Sequence, residues 1–195
     1  MASLGPYEPP LSDCVRALKF GSAYGLAGWL GAALAGEIRR QTPVLPPPVA
    51  VVGVPMPWRR RVRRGYNQAD QLARAVVAAG FGQDATGLLR RAGYRRPQTR
   101  LTAAQRRANA RRGFRLMDPR LDLAEASVLL VDDVVTTGAT LRAAASTLRA
   151  RGCHRIGVAV VACTSDRGDH ASVGAGFSGD HAGSWHGRPR RPACP

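Results

Sequence analysis

Apolar runs and helical stripes alternate along this chain in the order of a repeated strand–helix unit. Residues 49–54, 128–131 and 156–162 are short, nearly unbroken stretches of β-branched and other apolar side chains. Stretches of that length without polar alternation predict strands covered on both faces, as in a parallel sheet. Between them the period changes. Residues 67–79 predict a helix that Gly80 stops. From Thr140 onward, Leu141, Ala144, Ala145 and Leu148 share one helical stripe that Gly152 can end. Residues 13–35 read as a helix-rich unit containing Lys19, Phe20, Leu26, Trp29, Leu30 and Leu34, and the Pro-rich residues 43–48 read as a stiff linker. Residues 88–91 predict a short strand, and 114–117 a return to the sheet. Strands alternating with helices predict an α/β fold with a parallel sheet flanked by helices.

Three stretches break the pattern. Residues 59–64 hold five arginines in six positions, 95–112 are polar and arginine-rich without a clear apolar face at their start, and 164–195 are rich in Gly, Ser, His and Pro. The last lacks any period and is expected to lie outside the fold. The chain thus divides into residues 1–48, a core at 49–163 and a tail at 164–195.

Composition adds limits. A length of 195 residues suits one domain with a sizeable core. The formal charge is +16, and Lys19 is the single lysine among the 29 basic residues. That surplus attracts polyanions without choosing among them. Cys14, Cys153, Cys163 and Cys194 form no Cys-x-x-Cys pair, which gives no zinc site and no disulfide framework. Residues 23–35 are apolar but too short to span a bilayer, and Glu8 and Asp13 stand where a secretory signal would be basic. A cytoplasmic location without membrane attachment is the expectation.

Residues 132–140, Asp-Asp-Val-Val-Thr-Thr-Gly-Ala-Thr, carry the candidate chemistry, because they sit where a buried strand gives way to a helix. In open α/β sheets, ligands bind outside the carboxyl ends of the strands. Backbone N–H groups of Thr137, Gly138, Ala139 and Thr140 can converge on one anion at the positive end of the helix dipole. Gly138 allows close approach and a positive φ, and the hydroxyls of Thr136, Thr137 and Thr140 add donors. Asp132 and Asp133 would repel a phosphate. They suit hydroxyl groups, because carboxylates only accept hydrogen bonds, and they can help hold Mg²⁺ through water. A ligand with both a phosphate and a vicinal diol satisfies the two halves, and a 5-phosphoribosyl group is such a ligand. The plainer alternative is an ordinary buried strand with a solvated acidic turn and a Thr-rich helix start. The order of strand, acid pair, Gly loop and helix favours the sugar phosphate.

This run resembles the 5-phosphoribosyl 1-diphosphate (PRPP) motif of the type I phosphoribosyltransferases. The flanking pieces resemble the ComF/GntX branch of that family, which is related to competence, the uptake of DNA. The resembling residues are Ala17-Leu18-Lys19-Phe20, Val54-Pro55-Met56-Pro57, Arg61, Arg64-Gly65-Tyr66-Asn67-Gln68-Ala69, Arg91, Pro97-Gln98-Thr99, Leu101, Arg106, Asn109 and Phe114. Two departures stand out: the four-cysteine zinc module with which many members begin is absent, and the tail has no counterpart. The resemblance implies a phosphoribosyltransferase core under a small N-terminal helical hood formed by residues 1–48. It makes Asp132 and Asp133 the catalytic pair, which hold the ribose hydroxyls and, indirectly, Mg²⁺. Asp132, Asp133, Thr136, Thr137, Gly138, Ala139 and Thr140 become the PRPP-binding set. It places the pyrophosphate loop at Pro55, Met56, Pro57 and Arg59, and a water-excluding lid at Gln98, Thr99, Arg106 and Asn109.

The expected reaction is displacement of pyrophosphate from PRPP by an unidentified nitrogen nucleophile. Where hypoxanthine-guanine-type enzymes carry a base-assisting Asp, this chain has Thr136, which disfavours a substrate needing that assistance. Two alternatives stand beside it: a PRPP sensor without turnover, and a competence factor whose basic surface binds single-stranded DNA. A second copy of the chain, as a homodimer, is a further candidate partner.

Overall fold

The computed structural model describes residues 1–20, 24–41, 45–92, 113–118 and 120–164. In chain order the elements are β1 (Ala2–Pro6), α1 (Leu11–Phe20), α2 (Tyr24–Gln41), β2 (Val49–Gly53), α3 (Trp58–Arg64), α4 (Gln68–Ala78), β3 (Gln83–Asp84), β4 (Leu89–Arg91), β5 (Phe114–Leu116), β6 (Ser127–Val135), α5 (Ala139–Arg149) and β7 (Arg155–Cys163). Five strands form one sheet in the order β1-β7-β6-β2-β3, and each neighbouring pair is parallel.

The apolar runs behave as two-sided strands. In β6, Leu129 and Val131 face a core built with α1, α2 and α4, where Leu18, Leu30, Leu34, Ile38, Leu72 and Val76 are buried. Val128 and Leu130 face the opposite core, which holds Leu141, Ala144 and Leu148 of α5 with Leu89, Phe114 and Leu116. Side chains that alternate across a pleated strand require this division. Each fully buried leucine contributes about 2 kcal/mol relative to exposure. α2 and α4 cross at a small–small contact: a Cβ on Gly31 would lie 2.3 Å from the Ala75 Cβ. Residues 24–41 are therefore packed into the same core as the sheet.

Four features differ from the sequence pattern. β1 is an edge strand that the pattern does not announce. The arginine run at 59–64 lies in helix α3, which has no buried residue and ends at Gly65 with φ 79°. Residues 88–91 hold the expected short strand, but 114–117 do not return to the main sheet. Their strands pair antiparallel with each other, Leu89 opposite Leu116 and Arg91 opposite Phe114. β6 also runs past its apolar stretch through both aspartates to Val135. Backbone pairing with β7 carries it on, Asp132 opposite Val160 and Val135 opposite Cys163, because ladder bonds do not depend on side-chain polarity.

Candidate functional site

β6 outruns β2. Their ladder ends with Gly53 opposite Val131, followed by one bond from the Val54 N–H to the Val131 carbonyl at 2.9 Å. From β2 the chain proceeds by way of α4 to β3 on one side of this pair, whereas β6 proceeds by way of α5 to β7 on the other. The strand order therefore reverses between β2 and β6, the place where open α/β sheets hold ligands. Asp132 and Asp133 stand at that point.

The two aspartates have different surroundings. Asp133 is buried, at 7% exposure. Its Oδ2 accepts from the Gln68 Nε2 at 3.1 Å and lies 3.3 Å from the Lys19 Nζ, while its Oδ1 accepts the Val134 N–H at 2.8 Å. The Asp132 Oδ1 accepts the Asp133 N–H at 2.9 Å. Burial, followed by the charge of Asp133, pushes the Asp132 carboxyl well above the usual carboxylate range, with Lys19 acting in the opposite sense. Burial lowers the Arg91 guanidinium from its ordinary value, and Asp132 opposes that shift. Arg91 stacks over the Phe114 ring at 4.7 Å, and its Nε donates to the Pro55 carbonyl at 3.1 Å.

Beyond Val135 the chain turns at Gly138, which adopts φ 69°, and α5 starts at the next residue. The first bond closing α5 runs from the Arg142 N–H to the Gly138 carbonyl at 2.9 Å. The N–H groups ahead of it belong to the turn that a helix leaves without intrahelical acceptors, at the positive end of its dipole. The Ala139 N–H makes a long 3.4 Å contact to the Thr137 Oγ1. Thr136, Thr137, Ala139 and Thr140 are exposed and Gly138 is half-buried, so a ligand can reach this loop.

The Pro55, Met56 and Pro57 loop leaves β2 beside the acid pair and is half-buried. Arg91 ties its first carbonyl, and the Asn67 Nδ2 holds the preceding one, Val54, at 3.1 Å. The Asn67 Oδ1 is buried without a hydrogen-bond partner among the described residues. Arg59 is exposed on α3. Gln98, Thr99, Arg106 and Asn109 lie outside the described residues. The stretch that contains them departs from β4 and returns at β5, whose ends are joined by the Ala92 N–H donating to the Gly113 carbonyl at 3.2 Å. Lys19 and Arg91 are site residues that residue type alone did not assign: Lys19 contacts Asp133, and Arg91 acts on Asp132 through its charge. The available signal was their place in the runs that resemble the ComF/GntX branch.

No group of three or more His, Cys, Asp or Glu side chains among the described residues could hold a metal ion. Two adjacent carboxylates fit Mg²⁺ in another way, since this ion keeps waters and ligand oxygens around it instead of entering an all-protein cage. No helix of the described residues is long and apolar enough to cross a membrane.

Residues 31–173 match the family model described as the phosphoribosyl transferase domain. Competence protein F of Haemophilus influenzae is 32% identical over 160 residues, which cover 81% of this chain and 70% of that protein. DNA utilization protein YhgH of Salmonella typhi is 35% identical over 161 residues, covering 81% of this chain and 69% of that protein. Among solved structures, the allosteric regulatory enzyme of purine biosynthesis aligns with a TM-score of 0.50 at 18% identity, over 75% of this chain and 30% of that one. A hypoxanthine phosphoribosyltransferase from Staphylococcus aureus aligns with a TM-score of 0.45 at 11% identity, over 72% of this chain and 65% of that one.

Proposed function

We propose that this chain, which belongs to the phosphoribosyl transferase domain family and is related to competence proteins, binds PRPP and transfers its 5-phosphoribosyl group to a nitrogen nucleophile. The observation that carries this reading is the acid pair at the reversal of strand order, followed at once by the Gly138 turn and the start of α5. The carboxylates of Asp132 and Asp133 accept from the ribose hydroxyls. The backbone of Thr137, Gly138, Ala139 and Thr140 receives the 5′ phosphate, with hydroxyls from Thr136, Thr137 and Thr140. The diphosphate lies toward Pro55, Met56 and Pro57, with Arg59 and Arg91 as its cationic neighbours. Gln98, Thr99, Arg106 and Asn109 belong to the segment that would exclude water.

In the reaction, the bond from the anomeric carbon to the diphosphate oxygen breaks with its electron pair. A bond from the acceptor nitrogen forms, and that nitrogen gives up a proton. The chemistry that Mg²⁺ supplies when bound near Asp132 and Asp133 is neutralisation of charge on the departing diphosphate. The protein's own residues orient the ribose and provide fixed donors where charge develops. Thr136 cannot serve as a base near neutral pH, so the acceptor is one that needs no such assistance from this position.

Calorimetric titration with PRPP, with and without Mg²⁺, tests the binding step, and a pyrophosphate-release screen over nitrogenous bases tests turnover. Mg²⁺-dependent binding with pyrophosphate release is the expected result. Binding without release for any base would instead make the protein a PRPP sensor. No binding under either condition would sink the reading.

One observation favours a second reading, that of a single-stranded DNA binder. Arg59, Arg60, Arg61 and Arg63 are exposed on α3, and Trp58 stands beside them at 63% exposure. Exposed arginines beside an exposed aromatic ring suit a phosphate backbone with stacked bases. Glutamine at Arg59, Arg60 and Arg63 together is expected to weaken oligonucleotide binding and flatten its salt slope by roughly 0.7 per lost phosphate contact. Ribose 5-phosphate, which lacks the diphosphate, should bind unchanged. A parallel loss of PRPP affinity would assign these arginines to the diphosphate, and unchanged oligonucleotide binding would remove the DNA reading.

A further inference from the structure

Two sequence runs, around Lys19 and from Arg64 to Gln68, touch neither the phosphate loop nor the diphosphate loop through a side-chain charge, yet they converge on Asp133. Lys19 approaches it from the end of α1 and Gln68 from the first residue of α4. The Arg64 Nη1 donates to the Gln68 Oε1 at 3.3 Å, which turns the amide so that its NH₂ faces Asp133. The Tyr66 hydroxyl donates to the Leu18 carbonyl at 2.7 Å and so ties down the end of α1 that carries Lys19. Gly65 makes the left-handed turn between α3 and Tyr66, and Asn67 holds the Val54 carbonyl at the start of the diphosphate loop.

Resting on the phosphoribosyl reading above, we propose that Lys19 is a positioning residue for Asp133, and that Arg64, Tyr66 and Gln68 form the bracket that holds both in place. A carboxylate offers about four acceptor sites. On Asp133, Gln68 and Lys19 fill those of Oδ2, and the Val134 N–H takes one on Oδ1. These donors, with the Asp132 carboxyl alongside, leave Asp133 little acceptor capacity, so it meets a ribose hydroxyl from a restricted direction. A buried carboxylate without a countercharge is costly and free to turn toward any donor. Lys19 removes both problems, and it also offsets the repulsion between two adjacent acids. The role is therefore specific to the sugar: the phosphate loop lies beyond Val135 and uses neither Lys19 nor Gln68.

The experiment compares the wild-type chain with Lys19→Met and Lys19→Arg in titrations against ribose 5-phosphate and inorganic phosphate. Lys19→Met is expected to weaken ribose 5-phosphate about tenfold, the scale of one charge-assisted hydrogen bond, while changing inorganic phosphate by less than about twofold. Lys19→Arg restores the charge and is expected to recover affinity to within about threefold. Wild-type affinity for ribose 5-phosphate in Lys19→Met overturns the inference, and so does an equal loss for both ligands, which is the mark of a general structural or charge effect. If Lys19→Met does not fold, Tyr66→Phe decides. It keeps the lysine but frees its helix end, and an unchanged ribose 5-phosphate affinity in that variant overturns the inference. Absence of ribose 5-phosphate binding by the wild-type chain overturns the phosphoribosyl reading itself.

Discussion

Asp132→Asn is expected to melt at a higher temperature than the wild-type protein at pH 7 and to lose its hold on ribose 5-phosphate. The Asp132 carboxyl is pushed above its ordinary value by burial first and by Asp133 second. The folded state therefore binds this proton more tightly than the unfolded chain does. Stability from this group is highest below the unfolded value of 3.8 and falls as pH rises through the raised folded value. The amide removes the charge and with it the penalty, a gain on the order of 1–2 kcal/mol and a rise of a few degrees in Tm. Asp133→Asn should move the other way. It takes the countercharge from Lys19 and breaks the paired geometry with Gln68, a loss on the order of 1–3 kcal/mol. Both variants should bind ribose 5-phosphate more than about tenfold more weakly. Scanning calorimetry from about pH 4 to about pH 7, across the titration of a raised carboxyl, checks the opposite thermal signs. Equal Tm shifts for the two variants would refute the division of roles.

Gly53→Ala is expected to be the most damaging single methyl in the sheet. A Cβ at this position would lie 2.6 Å from the Asp70 backbone nitrogen and 2.7 Å from the Ala69 carbonyl carbon. Those are backbone atoms of α4 that cannot rotate away, so the helix must lift from β2. Overpacking of this kind costs about 1–3 kcal/mol, equivalent to a Tm lowered by about 2–12 °C in a chain of this size. The shift also carries Gln68 away from Asp133, so ribose 5-phosphate affinity should fall along with stability. A melting temperature within about one degree of wild type would show that α4 and β2 tolerate separation.

The sequence disclosed those parts of the fold in which a local period and a burial requirement agree. Residues 128–131, the stripe at Leu141, Ala144, Ala145 and Leu148, and the Gly138 turn all combine the two, and the structure places each as the pattern implies. It disclosed less where tertiary contacts override local preference. Ala2–Pro6 contains Gly and Pro and has no alternation, so only pairing with β7 makes it a strand. Trp58–Arg64 has no apolar stripe to mark a helix. The aspartates were expected where the strand ends, because polarity marks an end in a pattern, but the β7 ladder continues past them. In the candidate site, the acid pair and the Gly138 loop were visible because they are contiguous. The partners of Asp133 were not, since Lys19 and Gln68 come from two distant segments whose meeting is a property of the packed helices.

The edge pairing of β1 bears on the order in which the molecule assembles. Ala2 stands opposite Ala159, Pro6 opposite Cys163, and the Tyr7 N–H donates to the Cys163 carbonyl at 2.7 Å. Strand pairings so far apart in the chain close a long loop before they return any energy, which makes them slow and late. α1 follows β1 directly and brings Lys19 to Asp133. The sheet from β2 to β7 can therefore form while Asp133 still lacks its countercharge. Asp133 gains the Lys19 contact only when this early segment docks, which under the proposed function completes the ribose end of the site. A chain in which β1 and α1 have not docked should keep the start of α5 but lack the Lys19 countercharge on Asp133, so ribose 5-phosphate binding is expected to report on that docking.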